Sequence, residues 1–158
     1  LHGGANQKVI LMLEEMGSKD NARAWLEERL SRKQVVWGMG HREYSTKDPR
    51  ANILTEMVKD LFKEQSGKVS DMFEKAMELE KACEEKLAKK GVYANVDFYS
   101  GILYKEIGIP VDLFTPIFAI SRTSGWLAHW IEQVSNNKIF RPTQIYTGHD
   151  NRKYNSKG

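Results

Sequence analysis

The sequence has 158 residues, of which 41% are hydrophobic and 28% charged, with a net charge of +3. That is enough chain for one ordinary domain with its own core, in the composition range of soluble globular proteins. Its 24 basic and 21 acidic residues are mixed along the chain, which argues against nucleic-acid binding, because that footprint needs a clustered basic face.

The first predicted element is a helix over residues 5–16, with Val9, Ile10, Leu13 and Met16 on one side and Gly17 as its stop. A second helix covers residues 21–30, with Trp25, Leu26 and Leu30 as its apolar residues. Residues 35–49 read as an irregular stretch holding Gly38, Gly40 and His41. The clearest periodicity follows over residues 50–65, where Ile53, Leu54, Met57, Val58, Leu61 and Phe62 repeat with the 3.6-residue period of a helix ended by Gly67. Another long helix runs over residues 70–87, with Met72, Phe73, Ala76, Met77, Cys83 and Leu87 as its stripe. Lys86, Lys89 and Lys90 near its end suit the helix dipole, and Gly91 stops it. Cys83 is the single cysteine, which excludes an internal disulfide and a cysteine-rich zinc site and fits a reducing compartment.

A short helix is expected to start around Asp97 and run to Ile107, ahead of Gly108 and Pro110. The last long helix covers residues 111–134, bent at Pro116 or Gly125. Its most apolar run, residues 113–120, is far shorter than the roughly 20 residues of a membrane span. The tail, residues 135–158, is polar with Phe140, Tyr146 and Tyr154 interspersed, and reads as an extended arm. Strand signals are almost absent, so the fold class is all-α, with the Met, Trp and Leu stripes as core. The N-terminus carries neither a basic segment nor an apolar signal core, so secretion has no support. The chain opens at Leu1-His2-Gly3-Gly4 without an initiator Met, which is expected of a truncated or processed chain.

Three polar clusters interrupt the helical pattern beside glycines, where backbone can approach a ligand closely. In Leu1-His2-Gly3-Gly4-Ala5-Asn6, His2 is either a cap element or part of a ligand-binding turn. Gly38-Met39-Gly40-His41-Arg42 is followed by Asp48-Pro49-Arg50, and arginines at a helix start point to carboxylate or phosphate recognition. In Asn95-Val96-Asp97-Phe98-Tyr99-Ser100-Gly101, Asp97 is either an ordinary helix cap or a carboxylate whose apolar neighbours raise its pKa toward that of a useful base. Arg122 interrupts an apolar helix and has Phe118 and Ala119 one turn back. It therefore either faces water or finds an anion from another segment or a ligand. Arg141 reads by itself as a surface arginine.

Together these clusters resemble the citrate synthase family. The L-H-G-G-A-N opening, the G-x-G-H loop with D-P-R, the N-V-D-F-Y-S-G segment, the S-R-T-x-G-W-L-A-H-W helix and the final R-P stand in that family's order. The resemblance covers residues 1 to about 150 and is of bacterial or archaeal type. It implies that His2 hydrogen-bonds the acetyl-CoA thioester carbonyl, that Asp97 removes the methyl proton, and that His41 polarises the oxaloacetate ketone. It implies that Arg50, Arg122 and Arg141 hold carboxylates together with His41, with Arg141 lent to the neighbouring subunit's site. Val35, Val36, Gly38, Met39 and Gly40 would contact the CoA adenine, and Arg42 and Lys90 the CoA phosphates.

The chemistry suits those residue types. A thioester methyl is a very weak acid, and its deprotonation needs a base and a donor to the enolate oxygen at the same moment. The enol would attack the ketone while His41 donates to the new alkoxide, and hydrolysis of citryl-CoA would release CoA and citrate. This would be the first step of the tricarboxylic acid cycle. No cofactor or metal is implied, acetyl-CoA being a substrate. The resemblance further implies a cytoplasmic homodimer or higher homo-oligomer, with no membrane or nucleic-acid partner.

Residues 1–108 would form the small CoA-side helical domain, and residues 109–158 the helix and tail that belong to the large domain. The family has a large domain ahead of the L-H-G-G motif. Without it the chain alone is expected to be inactive, with the apolar face of its last helix orphaned. Three other functions are compatible: 2-methylcitrate synthase using propionyl-CoA, the related domain of a citrate-cleaving enzyme, and a non-catalytic CoA-binding helical module. The R-P-x-Q-x-Y-T-G ending favours a synthase over the citrate-cleaving enzyme.

Overall fold

The computed structural model describes residues 4–65, 69–139, 143, 145 and 147–149; His2 and Arg141 lie outside the described residues. Six helices appear where the sequence predicts them: α1 (Ala5–Met16), α2 (Ala22–Ser31), α3 (Pro49–Gln65), α4 (Asp71–Leu87), α5 (Val96–Glu106) and α6 (Phe114–Ser135). Among the described residues there is no strand, only one isolated antiparallel bridge between Met39 and Ala94. The fold class is all-α. None of the described helices is long and apolar enough to cross a membrane.

Each helix follows from its local sequence. Val9, Ile10, Leu13 and Met16 of α1 are all buried, and Gly17 stops the helix at a φ of 76°. Ser70 caps α4 by accepting the Phe73 N–H at 3.2 Å, and Asp71 and Glu74 sit in the first turn where the dipole favours anions. Cys83 is fully buried in α4, and burial pushes its thiol up to about 12.

Two boundaries differ from the sequence reading. Asn95, not Asp97, caps α5: its side chain accepts the Asp97 N–H at 2.9 Å. The segment from Val111 also opens as a 3₁₀ turn, Val111–Leu113, before α6 begins at Phe114. Pro116 thereby falls in the first turn of α6, where a helix has no use for the missing N–H.

The chain divides into two units, residues 1–123 and 124–158. In the first unit α5 is the central element, packed by α1 and α3, while α4 packs against α2 and α1. Phe62, Phe73, Tyr99 and Phe98 run through the core in successive ring contacts of 5.7, 6.0 and 5.1 Å. Burial of each ring contributes about 1.5–3 kcal/mol. A Cβ on Gly101 would lie 2.6 Å from the Asn6 carbonyl oxygen, so the crossing of α5 over the start of α1 depends on the missing side chain. The apolar stripe of α3 is wider than its buried face: Val58 and Phe62 are buried, whereas Ile53 and Met57 are exposed. In the second unit Trp126, Leu127, Trp130, Ile131 and Val134 are each more than half exposed.

Candidate active site

The irregular segment between α2 and α3 is bound to the N-terminus of α5 by backbone. The Gly40 N–H donates to the Tyr93 carbonyl at 2.7 Å, and the Asn95 N–H to the Gly38 carbonyl at 2.9 Å. The Asn95 side-chain amide donates to the Gly40 carbonyl at 2.7 Å. Asn95 thus caps α5 and pins the loop with one side chain. Gly38, at a φ of 80°, passes so close to α5 that a Cβ would lie 2.8 Å from the Phe98 Cα. No other residue type fits that path.

His41 follows directly. Its Nδ1 accepts the backbone N–H groups of Glu43 and Tyr44 at 3.0 and 3.2 Å, and its ring stacks on Tyr44 at 4.3 Å. With Nδ1 accepting, the ring proton is assigned to Nε2, which makes His41 a hydrogen-bond donor on its other side.

Arg50 stands at the start of α3 and is held by Asp48. The Arg50 N–H and Nε both donate to Asp48 Oδ1, at 2.9 and 3.0 Å, and Nη2 donates to Oδ2 at 2.8 Å. The Asp48 side chain is 1% exposed and that of Arg50 53%. The side-chain hydrogen bond from Arg50 holds the Asp48 carboxyl below its ordinary range, and the same bond raises Arg50. One edge of the guanidinium is therefore fixed, and the rest remains for a ligand.

These groups meet at a pocket of about 370 Å³, within the size range of small-molecule sites. The pocket is lined by Gly40, His41, Arg42 and Arg50 on one side, Asn95, Val96 and Asp97 on another, and Phe118 and Arg122 on a third. Asp97 is buried at 7% exposure, and its charge supports that of Arg50. The Arg122 guanidinium lies 5.0 Å from the centre of the Phe118 ring, a cation–π contact that places it in the wall of the pocket. A buried carboxylate, an imidazole offering Nε2–H and three guanidinium groups suit a ligand with more than one carboxylate that must lose or gain a proton.

Of the residues the sequence singles out, Gly40, His41, Arg42, Arg50, Asp97 and Arg122 are brought together here. Gly38 and Met39 shape the loop behind them, Val36 is buried and Val35 is exposed. Lys90 is exposed at the end of a 3₁₀ turn, Ala88–Lys90, and does not line the pocket. Sequence reasoning missed the tasks of Asn95 and Asp48. Asn95 was findable, since an Asn ahead of an apolar turn is a cap signal; Asp48 needed the folded turn.

The family model described as "Citrate synthase, C-terminal domain" matches residues 1–143. The chain belongs to the citrate synthase family. It is 54% identical over 154 residues to a citrate synthase of Acidithiobacillus ferridurans, a match that covers 98% of this chain and 40% of that protein. Among solved structures, the citrate synthase of Thermotoga maritima MSB8 superposes with a TM-score of 0.79 at 42% identity, over 98% of this chain and 41% of that one. The citrate synthase of Thermoplasma acidophilum, solved as a ternary complex with carboxymethyl coenzyme A and oxaloacetate, gives a TM-score of 0.82 at 36% identity, over 98% and 41%. The chain spans about two fifths of the length of these citrate synthases.

Proposed function

We propose that this chain carries part of a citrate synthase active site, which condenses acetyl-CoA with oxaloacetate and hydrolyses citryl-CoA to citrate and CoA. The convergence of Asp97, His41, Arg50 and Arg122 on one pocket carries this reading. Asp97, buried beside the arginines, is the base for the acetyl methyl group. His41, with Nδ1 occupied by backbone donors, gives Nε2–H to the ketone oxygen. Arg50 and Arg122 hold carboxylates of oxaloacetate, and Arg42 meets a CoA phosphate. His2 as the donor to the thioester carbonyl, and Arg141 as an arginine for the partner's site, are assigned from the family pattern. So are the CoA contacts of Val35, Val36, Gly38, Met39 and Lys90. The Thermoplasma acidophilum relative, solved with a CoA analogue and oxaloacetate, supports the ligand pair.

In this reading residues 1–108 are the small domain and residues 109–158 return to a large domain. The working enzyme is a homodimer or larger assembly that includes that large domain. The test is oxaloacetate-dependent release of CoA thiol, with acetyl-CoA and propionyl-CoA compared as donors. It is run on the chain alone and on the chain joined to the N-terminal part of the Acidithiobacillus ferridurans relative. The joined protein is expected to turn over acetyl-CoA, and Asp97→Ala to lower its rate by about 10²–10⁴. A folded joined protein that releases no CoA overturns the reading.

A further inference from the structure

One carboxylate joins three elements: α4, α5 and the segment that leads into α3. Glu80 lies on α4 with its side chain 12% exposed. Its Oε2 accepts the Tyr99 hydroxyl at 2.5 Å. Its Oε1 lies 2.7 Å from the Lys47 ammonium, an ion pair whose angle falls short of a hydrogen bond. Lys47 also stands 6.0 Å from the centre of the Tyr99 ring. A cleft of about 410 Å³ opens beside this group, walled also by Asn52 and Met77. Thr55 of α3, whose hydroxyl donates to the Ala51 carbonyl at 2.8 Å, lines the same cleft as Tyr99.

The position of these residues in the chain matters more than the cleft. Tyr99 is two residues beyond Asp97 on α5, and Lys47 directly precedes Asp48, the residue that holds Arg50. Through Tyr99 and Lys47, Glu80 grips the chain near Asp97 on α5 and next to Asp48 ahead of α3. Burial, followed by the charge of Glu80, pushes the Tyr99 phenol far above its ordinary value, so it keeps its proton and remains a donor.

We propose that Glu80 is a positioning residue for the candidate site: by holding Tyr99 and Lys47 on its two oxygens it sets the spacing between Asp97 and Arg50. This rests on the citrate synthase reading for its kinetic consequence, but not for its geometry. Misplacement of a reacting group by about 1 Å can cost up to 10² in rate, and supporting shells of this kind fix such distances.

The variants are Glu80→Gln, which keeps volume and an acceptor but loses the charge; Lys47→Met, which removes the pair from the other side; and Lys47→Arg, which preserves it. In the joined protein, Glu80→Gln and Lys47→Met are expected to lower kcat about tenfold and raise KM for oxaloacetate while leaving KM for acetyl-CoA unchanged. Lys47→Arg is expected to restore both. Lower thermal stability with wild-type kcat and KM would make Glu80 a strap and overturn the proposal. Carboxyl ¹³C spectra of the 158-residue chain itself read the geometry without turnover. The Asp97 and Asp48 resonances are expected to shift in Glu80→Gln and Lys47→Met and to return in Lys47→Arg. Unshifted resonances overturn the proposal even if the joined protein makes citrate. Shifted resonances in a protein that makes none would leave the positioning intact and sink only the assigned reaction.

Discussion

Asp48 is a carboxylate almost wholly removed from water and held by three donors of a single residue, Arg50. Hydrogen bonds to a charged group contribute more than neutral ones, about 1.5–3 kcal/mol. Asp48→Asn keeps the shape but loses the charge, and it is expected to lower unfolding stability by about that amount at neutral pH. The dependence on pH has a definite sign. The folded-state carboxyl sits below its ordinary value of 3.8, so its contribution is complete above that value and is lost as pH falls through the lower folded value. Urea midpoints of wild type and Asp48→Asn are therefore expected to differ at neutral pH and to converge in acid; a constant gap would refute the account. At this scale much of the site was legible. The Asp-Pro-Arg run pointed to anion recognition because residue types alone carry that meaning, and its Arg50 does line the candidate pocket. That Asp48 would occupy one edge of Arg50 was not legible, because the contact exists only once the turn is formed. Arg122 was undecided in the sequence for a similar reason: its Phe118 partner was visible one turn back, but not whether the guanidinium would lie over the ring.

Among the elements, α5 is the most constrained. It is packed by α1 and α3, and its Gly101 meets the Asn6 carbonyl with no room for a methyl group. Gly101→Ala would ordinarily favour a helix through propensity. Here the added methyl must push α1 away, and overpacking of this kind costs about 1–3 kcal/mol. The variant is expected to unfold at lower denaturant than wild type, and a more stable Gly101→Ala would show that the two helices can separate freely. The six helices were readable because their apolar spacing reports the period directly. Which part of a stripe is buried was not. Ile53 and Met57 continue the period of α3 yet remain exposed, since periodicity records which residues share a side and not how far a neighbouring helix extends across it.

For the whole chain, exposed apolar residues are scattered over the first unit but gathered on one helix in the second, among the described residues. Trp126, Leu127, Trp130, Ile131 and Val134 recur at helical spacing on α6 and are all more than half exposed. A continuous apolar face of this kind favours association. The 158-residue chain is expected to sediment as concentration-dependent oligomers, and Trp130→Glu with Ile131→Lys to shift it toward monomer; a monomer at all concentrations would contradict this. The first unit carries a different consequence. Its loop from Gly38 to His41 is stitched to α5 through the Gly40 and Asn95 hydrogen bonds and through a crossing that only glycine permits. The conformational entropy of that loop is therefore surrendered when the chain folds, not when a ligand arrives. A ligand meets a wall already in shape, so its affinity there is decided by contact chemistry and not diminished by the ordering of a loop.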